Sequence, residues 1–100
     1  MAPEQDNPGR AFVIIDSTVH DREQYLLAQP QGLNALAQAG GRFIARAREP
    51  HVLEGRWSPS RVSVIEFRDL EAAKLWYASP DYQAAKSIRE HAADMCIVAI

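Results

Sequence analysis

A chain of 100 residues is one domain's worth, with room for only a thin core. Hydrophobic residues make up 47% and charged residues 24%, an ordinary globular balance that excludes disorder of the main body. Eleven Lys and Arg against thirteen Asp and Glu give a formal net charge of -2, and no basic run stands out, so a nucleic-acid partner is not expected.

Residues 1–10 carry Pro3, Pro8 and Gly9 and no apolar run, and read as a flexible tail ahead of a single domain over residues 11–100. They lack the apolar core of a secretory signal, and no stretch approaches the roughly 18 apolar residues of a membrane span. The expected location is the cytoplasm, without membrane contact.

Ala11–Val19 is rich in β-branched residues and predicts a strand. Asp21 then caps a helix, with Gln24 three residues on, and Gly40-Gly41 ends it. Pro30 lies inside that helix and should kink or restart it. Arg42–Arg46 predicts a second strand, and His51–Glu54 a short extension of it. A loop over Gly55–Ser60 leads to a third strand at Arg61–Phe67, whose alternation is clear. Asp69 caps a further helix, and Ser79-Pro80 opens another, with Pro80 at a position that needs no N–H. Trp76, Tyr77, Tyr82, Ala85 and Ile88 supply their inner faces. Met95–Ile100 is the last strand, where Cys96 reads as a buried, inert thiol.

The order strand, helix, strand, strand, helix pair, strand is the βαββαβ pattern of a ferredoxin-like α+β fold, an antiparallel sheet with helices on one face. Alternation puts Arg42, Ile44 and Arg46 on one side of the second strand and Phe43 and Ala45 on the other. The helices should cover the side of Phe43, Ile65 and Phe67. The bare side then collects Arg42, Arg46 and Glu66, and Asp16 is expected to join it although its strand is apolar on both sides and does not fix its facing; in a chain this short that side needs cover from a second copy.

Glu54-Gly55-Arg56-Trp57, Ile65-Glu66-Phe67, Trp76-Tyr77 and Ser79-Pro80-Asp81-Tyr82 follow one another in a fairly specific order. In this the chain resembles the domain-of-unknown-function 1330 family of the dimeric alpha-beta barrel superfamily. Arg68 departs from it, since the family commonly has proline there. The resemblance covers about Ala11–Ile100. It implies a monomer whose sheet packs on its twin to close a barrel, and no established reaction. Superfamily relatives include cofactor-free monooxygenases, isomerases, haem-handling enzymes and ligand sensors, so fold alone does not choose among them.

Residue chemistry yields two readings. In the first, a pocket by the bare sheet face and the Glu54–Trp57 loop binds a small anionic or carbonyl molecule. Glu54 and His91 are the candidate acid–base residues. Arg42, Arg46, Trp57, Glu66, Tyr82 and Arg89 are the candidate ligand-binding residues, and the Tyr82 hydroxyl could reach either Glu54 or Arg89. Such a site suits a cofactor-free isomerase or monooxygenase. In the second, the charges are structural pairs and the domain is a non-catalytic interaction or assembly module. His20, His51 and His91 lack metal-ligand spacing, Gly40-Gly41 lacks the lysine of a phosphate loop, and no Gly-x-Ser-x-Gly occurs, so neither metal nor cofactor is implied.

Overall fold

The computed structural model describes residues 9–100, so the first eight residues of the expected tail lie outside the described residues. Chain order is β1 (Ala11–Val19), α1 (Arg22–Gln38), β2 (Arg42–Ala47), β3 (Arg61–Phe67), α2 (Leu70–Ala78), α3 (Pro80–Arg89) and β4 (Ala93–Ala99). The four strands form one antiparallel sheet in the order β2-β3-β1-β4. This is the expected α+β ferredoxin-like arrangement.

The helix signals act as their chemistry requires. Asp21 accepts from the Gln24 N–H, Asp69 from the Ala72 N–H at 2.8 Å, and Ser79 from the Tyr82 N–H. The helix α1 stops where Gly40 takes φ +76°. Gly41 is needed for a different reason. A Cβ there would lie 2.6 Å from a Leu36 methyl and 2.7 Å from the Phe67 ring, so the chain passes against the core only because the side chain is absent.

Odd-numbered residues of β1 and β3 face the helices. Val13, Ile65 and Phe67 are fully buried against Ala35, Leu36, Ala72, Ala73, Trp76 and Tyr82. Phe67, Trp76 and Tyr82 stack in series, with ring centres 5.4 and 4.7 Å apart.

Four expectations need correction. The helix α1 runs unbroken through Pro30, which therefore costs one backbone hydrogen bond without ending the helix. Residues 51–54 form loop rather than strand, because Pro50 precedes them and Gly55 turns the chain at φ +103°. Ile88 and Tyr77 are exposed rather than on inner faces. Cys96 is also exposed, because β4 turns Met95 and Ile97 to the helices and pairs Cys96 with Asp16 on the bare side. Among the described residues, no helix is long and apolar enough to cross a membrane.

Candidate functional site

The sheet separates the candidate residues into two groups. On the bare side, Glu66 of β3 receives hydrogen bonds from Arg42 (Nε, 2.9 Å) and Arg10 (Nη1, 2.9 Å). The Arg42 hydrogen bond, reinforced by Arg10, holds the Glu66 carboxyl below the usual carboxylate range against the opposing effect of desolvation. Trp57 reaches back from the β2–β3 loop, and its indole N–H donates to Asp16 at 2.9 Å. Ser60 of the same loop accepts from Thr18 at 3.1 Å. Phe12, Ile14, Val62 and Val64 are half-buried on this side, while Val98 and Trp57 are more than half exposed.

Arg46 departs from the expected face. Opposite Val64 the β2 strand carries one extra residue, so Phe43 pairs with Ile65 but Ala45 pairs with Val64 and Arg46 with Ser63. A β-bulge of this kind resets alternation. It carries Arg46 to the helix side, where its guanidinium lies 4.3 Å from the centre of the Phe43 ring. Arg42 and Arg46 therefore serve opposite faces of the sheet.

On the helix side the core is incompletely filled. Ile15, Phe43 and Ile97 pack against it while only partly buried. A cleft of about 510 Å³ opens between α1 and the sheet, lined by Ile15, Ser17, Tyr25, Gln29, Phe43, Ser63 and Met95, with Arg22, Arg46, Arg48 and Arg61. A smaller space of about 120 Å³, itself open to solvent, adjoins it where α1 and α3 face the core. The two share Ile15, Tyr25, Gln29, Phe43, Arg46 and Met95, and the inner one adds Leu36, Ile65, Trp76, Tyr82 and Arg89. Among the described residues, no Asp or Glu lines either space.

Arg89 donates a hydrogen bond to the Tyr82 hydroxyl, one of the two partners the sequence left open. Burial pushes the Tyr82 phenol up from its ordinary value, with Arg89 opposing. Because the Tyr82 oxygen accepts from Arg89, its own proton stays available to a ligand. The indole N–H of Trp76 is buried without an acceptor. The inner end of the cleft is thus furnished with donors.

Glu54 and His91 are exposed, in the β2–β3 loop and the α3–β4 turn, and neither lines the cleft. The acid–base pair expected from sequence is not assembled there. Arg22, Arg48, Arg61, Tyr25, Ser17 and Ser63 were missed. Arg61 carried a legible signal, since it shares odd parity with helix-facing Ser63, Ile65 and Phe67. Arg48, the residue just past the end of β2, carried none. Among the described residues, no group of three or more His, Cys, Asp or Glu converges as metal ligands would.

The sequence profile of the family described as "Domain of unknown function (DUF1330)" matches residues 10–100. No curated protein matches the chain significantly. Among solved structures, it is similar to a protein of unknown function from Rhodopseudomonas palustris at TM-score 0.75 and 16% identity, over 96% of this chain and 84% of that one. It is similar to SnoaB, a cofactor-independent oxygenase from Streptomyces nogalater, at TM-score 0.64 and 13% identity, over 92% and 91% of the two chains. A dimeric ferredoxin-like protein of unknown function from Jannaschia sp. matches at TM-score 0.63 and 14% identity, over 92% and 98%. At these identities the likeness speaks for the fold.

Proposed function

The chain belongs to the domain-of-unknown-function 1330 family, and on that premise we propose that it is a homodimeric small-molecule-binding protein that takes an organic anion into the cleft between α1 and the sheet. One observation carries this reading. Arg22, Arg46, Arg48 and Arg61 line a cleft that no described carboxylate shares, in a chain with a net negative charge. Uncompensated guanidinium groups around a concave space attract carboxylate, phosphate or enolate.

The dimer rests on the bare sheet face. Its half-buried Phe12, Ile14, Val62 and Val64 adjoin the exposed Val98 and Trp57, and an apolar strip of this sort, set between the Arg10–Glu66–Arg42 bridge and the Asp16–Trp57 pair, gains by covering. A second copy is the occupant proposed, in keeping with the dimeric description of the Jannaschia protein. The Arg10–Glu66–Arg42 bridge then belongs to the seam between sheets rather than to a ligand pocket.

The likeness to SnoaB favours a second, narrower reading, cofactor-free oxygenation. Such chemistry needs an anion formed on the substrate, which arginines would stabilise. Among the described residues, no carboxylate or histidine lines the cleft, and burial favours the protonated form of Tyr82, so the described cleft wall offers no base. Binding is accordingly the primary reading.

A thermal-shift panel of small carboxylic acids, lactones and phenols tests it. Carboxylates should raise the melting temperature of the native protein and not that of Arg46→Ala. No shift across the panel would overturn the reading.

A further inference from the structure

We infer that the natural ligand has a compact apolar body and a head carrying at least two negative charges, the body lying in the inner cavity and the head at the arginine mouth. This rests on the anion-binding reading of the cleft. The two spaces differ in the balance of their linings, although Arg46 lines both and Arg89 and Tyr82 also line the smaller one. The inner one, about 120 Å³, is walled mainly by Phe43, Leu36, Ile65, Trp76 and Met95. The outer one adds Arg22, Arg48 and Arg61, which line it but not the inner cavity, while Arg46 lines both.

None of Arg22, Arg46, Arg48 and Arg61 joins an ion pair among the described residues, whose salt bridges use Arg10, His20, Arg42 and Arg68. Four unneutralised cations around one opening exceed what a single carboxylate needs. A monoanion engages one fork of donors, whereas a phosphate ester or a dicarboxylate engages several. The arginines enter from three separate elements: Arg22 from the start of α1, Arg46 and Arg48 from β2 and its exit, and Arg61 from the start of β3. They can therefore approach a head group from different directions. The buried Trp76 N–H, which has no acceptor in the protein, stands in the wall of the space assigned to the body.

Isothermal titration of the full chain with benzoate, phenyl phosphate and inorganic phosphate, at one ionic strength and neutral pH, separates the parts. Phenyl phosphate should bind at least about tenfold more tightly than either benzoate or inorganic phosphate. Its affinity should also fall more steeply with added salt than that of benzoate. Arg48→Ala combined with Arg61→Ala, both at the mouth and outside the core, should cost phenyl phosphate about tenfold or more without lowering the melting temperature. Equal affinity for benzoate and phenyl phosphate would overturn the multiply charged head while leaving the cleft reading intact. Equal affinity for phenyl phosphate and inorganic phosphate would overturn the apolar body. Binding of none of the three at millimolar concentration would overturn both the inference and the reading beneath it.

Discussion

Arg46 stands opposite Ser63 on the helix side of the sheet, although it lies only four residues from Arg42, which stands opposite Glu66 on the other side. The extra residue in β2 makes the difference, and it turns an arginine that strict alternation assigns to the dimer seam into the innermost cation of the cleft mouth. Arg46→Ala should leave folding nearly intact. The side chain is exposed, and its contact with the Phe43 ring is worth about 0.5–1 kcal/mol at such a site. Urea unfolding should move by no more than that, while the thermal shift produced by small carboxylates disappears. A variant that keeps the full shift would remove Arg46 from the site.

Phe67 and Gly41 govern stability rather than binding. Phe67 is 1% exposed and packs its ring on Trp76 at one end of the aromatic series, so Phe67→Ala should cost about 3–5 kcal/mol in chemical denaturation. Gly41→Ala should cost about 1–3 kcal/mol, because the new methyl meets both Leu36 and Phe67 at well under contact distance. A neutral Gly41→Ala would mean that α1 and β3 approach less closely than described.

The bare face is tested by charge. Val98 is 53% exposed on the outer strand β4, so Val98→Lys should not harm an isolated protomer. In a dimer closed through this face, the buried ammonium should weaken self-association roughly hundredfold. Sedimentation of both forms across micromolar concentrations reads the effect. A native chain that sediments as a monomer would contradict the seam.

Acid should act through Glu66. Its folded-state pKa lies below the unfolded value of about 4.3, chiefly through the Arg42 hydrogen bond. Its contribution is then fully present above about pH 4.3 and is lost as pH falls through the lowered folded value. Glu66→Gln should flatten this acid limb of the stability profile. Tyr82 works in the opposite range. Burial raises its folded pKa above about 10, so its contribution is full below that pH and is lost as pH rises through the folded value. Tyr82→Phe should remove the alkaline loss and leave the acid limb unchanged.

The fold was legible because its signals are local. The caps Asp21, Asp69 and Ser79, the glycine stop at Gly40 and the alternation of Arg61–Phe67 each act within a few residues, and each appears where the sequence put it. Asp16 does face the bare side, which a strand apolar on both faces did not settle, whereas its Trp57 partner was among the residues singled out. The cleft was not legible. It depends on a bulge in the Arg42–Ala47 run, which carries no glycine or proline to mark it, and on a gap between layers that no periodicity encodes. Cys96 was misread because an apolar run at the end of the chain suggests burial on both sides, whereas β4 buries only one.

The central claim is that ligands enter between α1 and the sheet, not between the sheet and its twin. Methyl-resolved NMR during titration with phenyl phosphate tests this directly, because Ile15, Leu36 and Ile97 lie on one side of the sheet and Ile14, Val64 and Val98 on the other. Shifts concentrated in the first set, saturating with ligand, are the expected result. Shifts confined to the second set would move the site to the bare face and contradict the account.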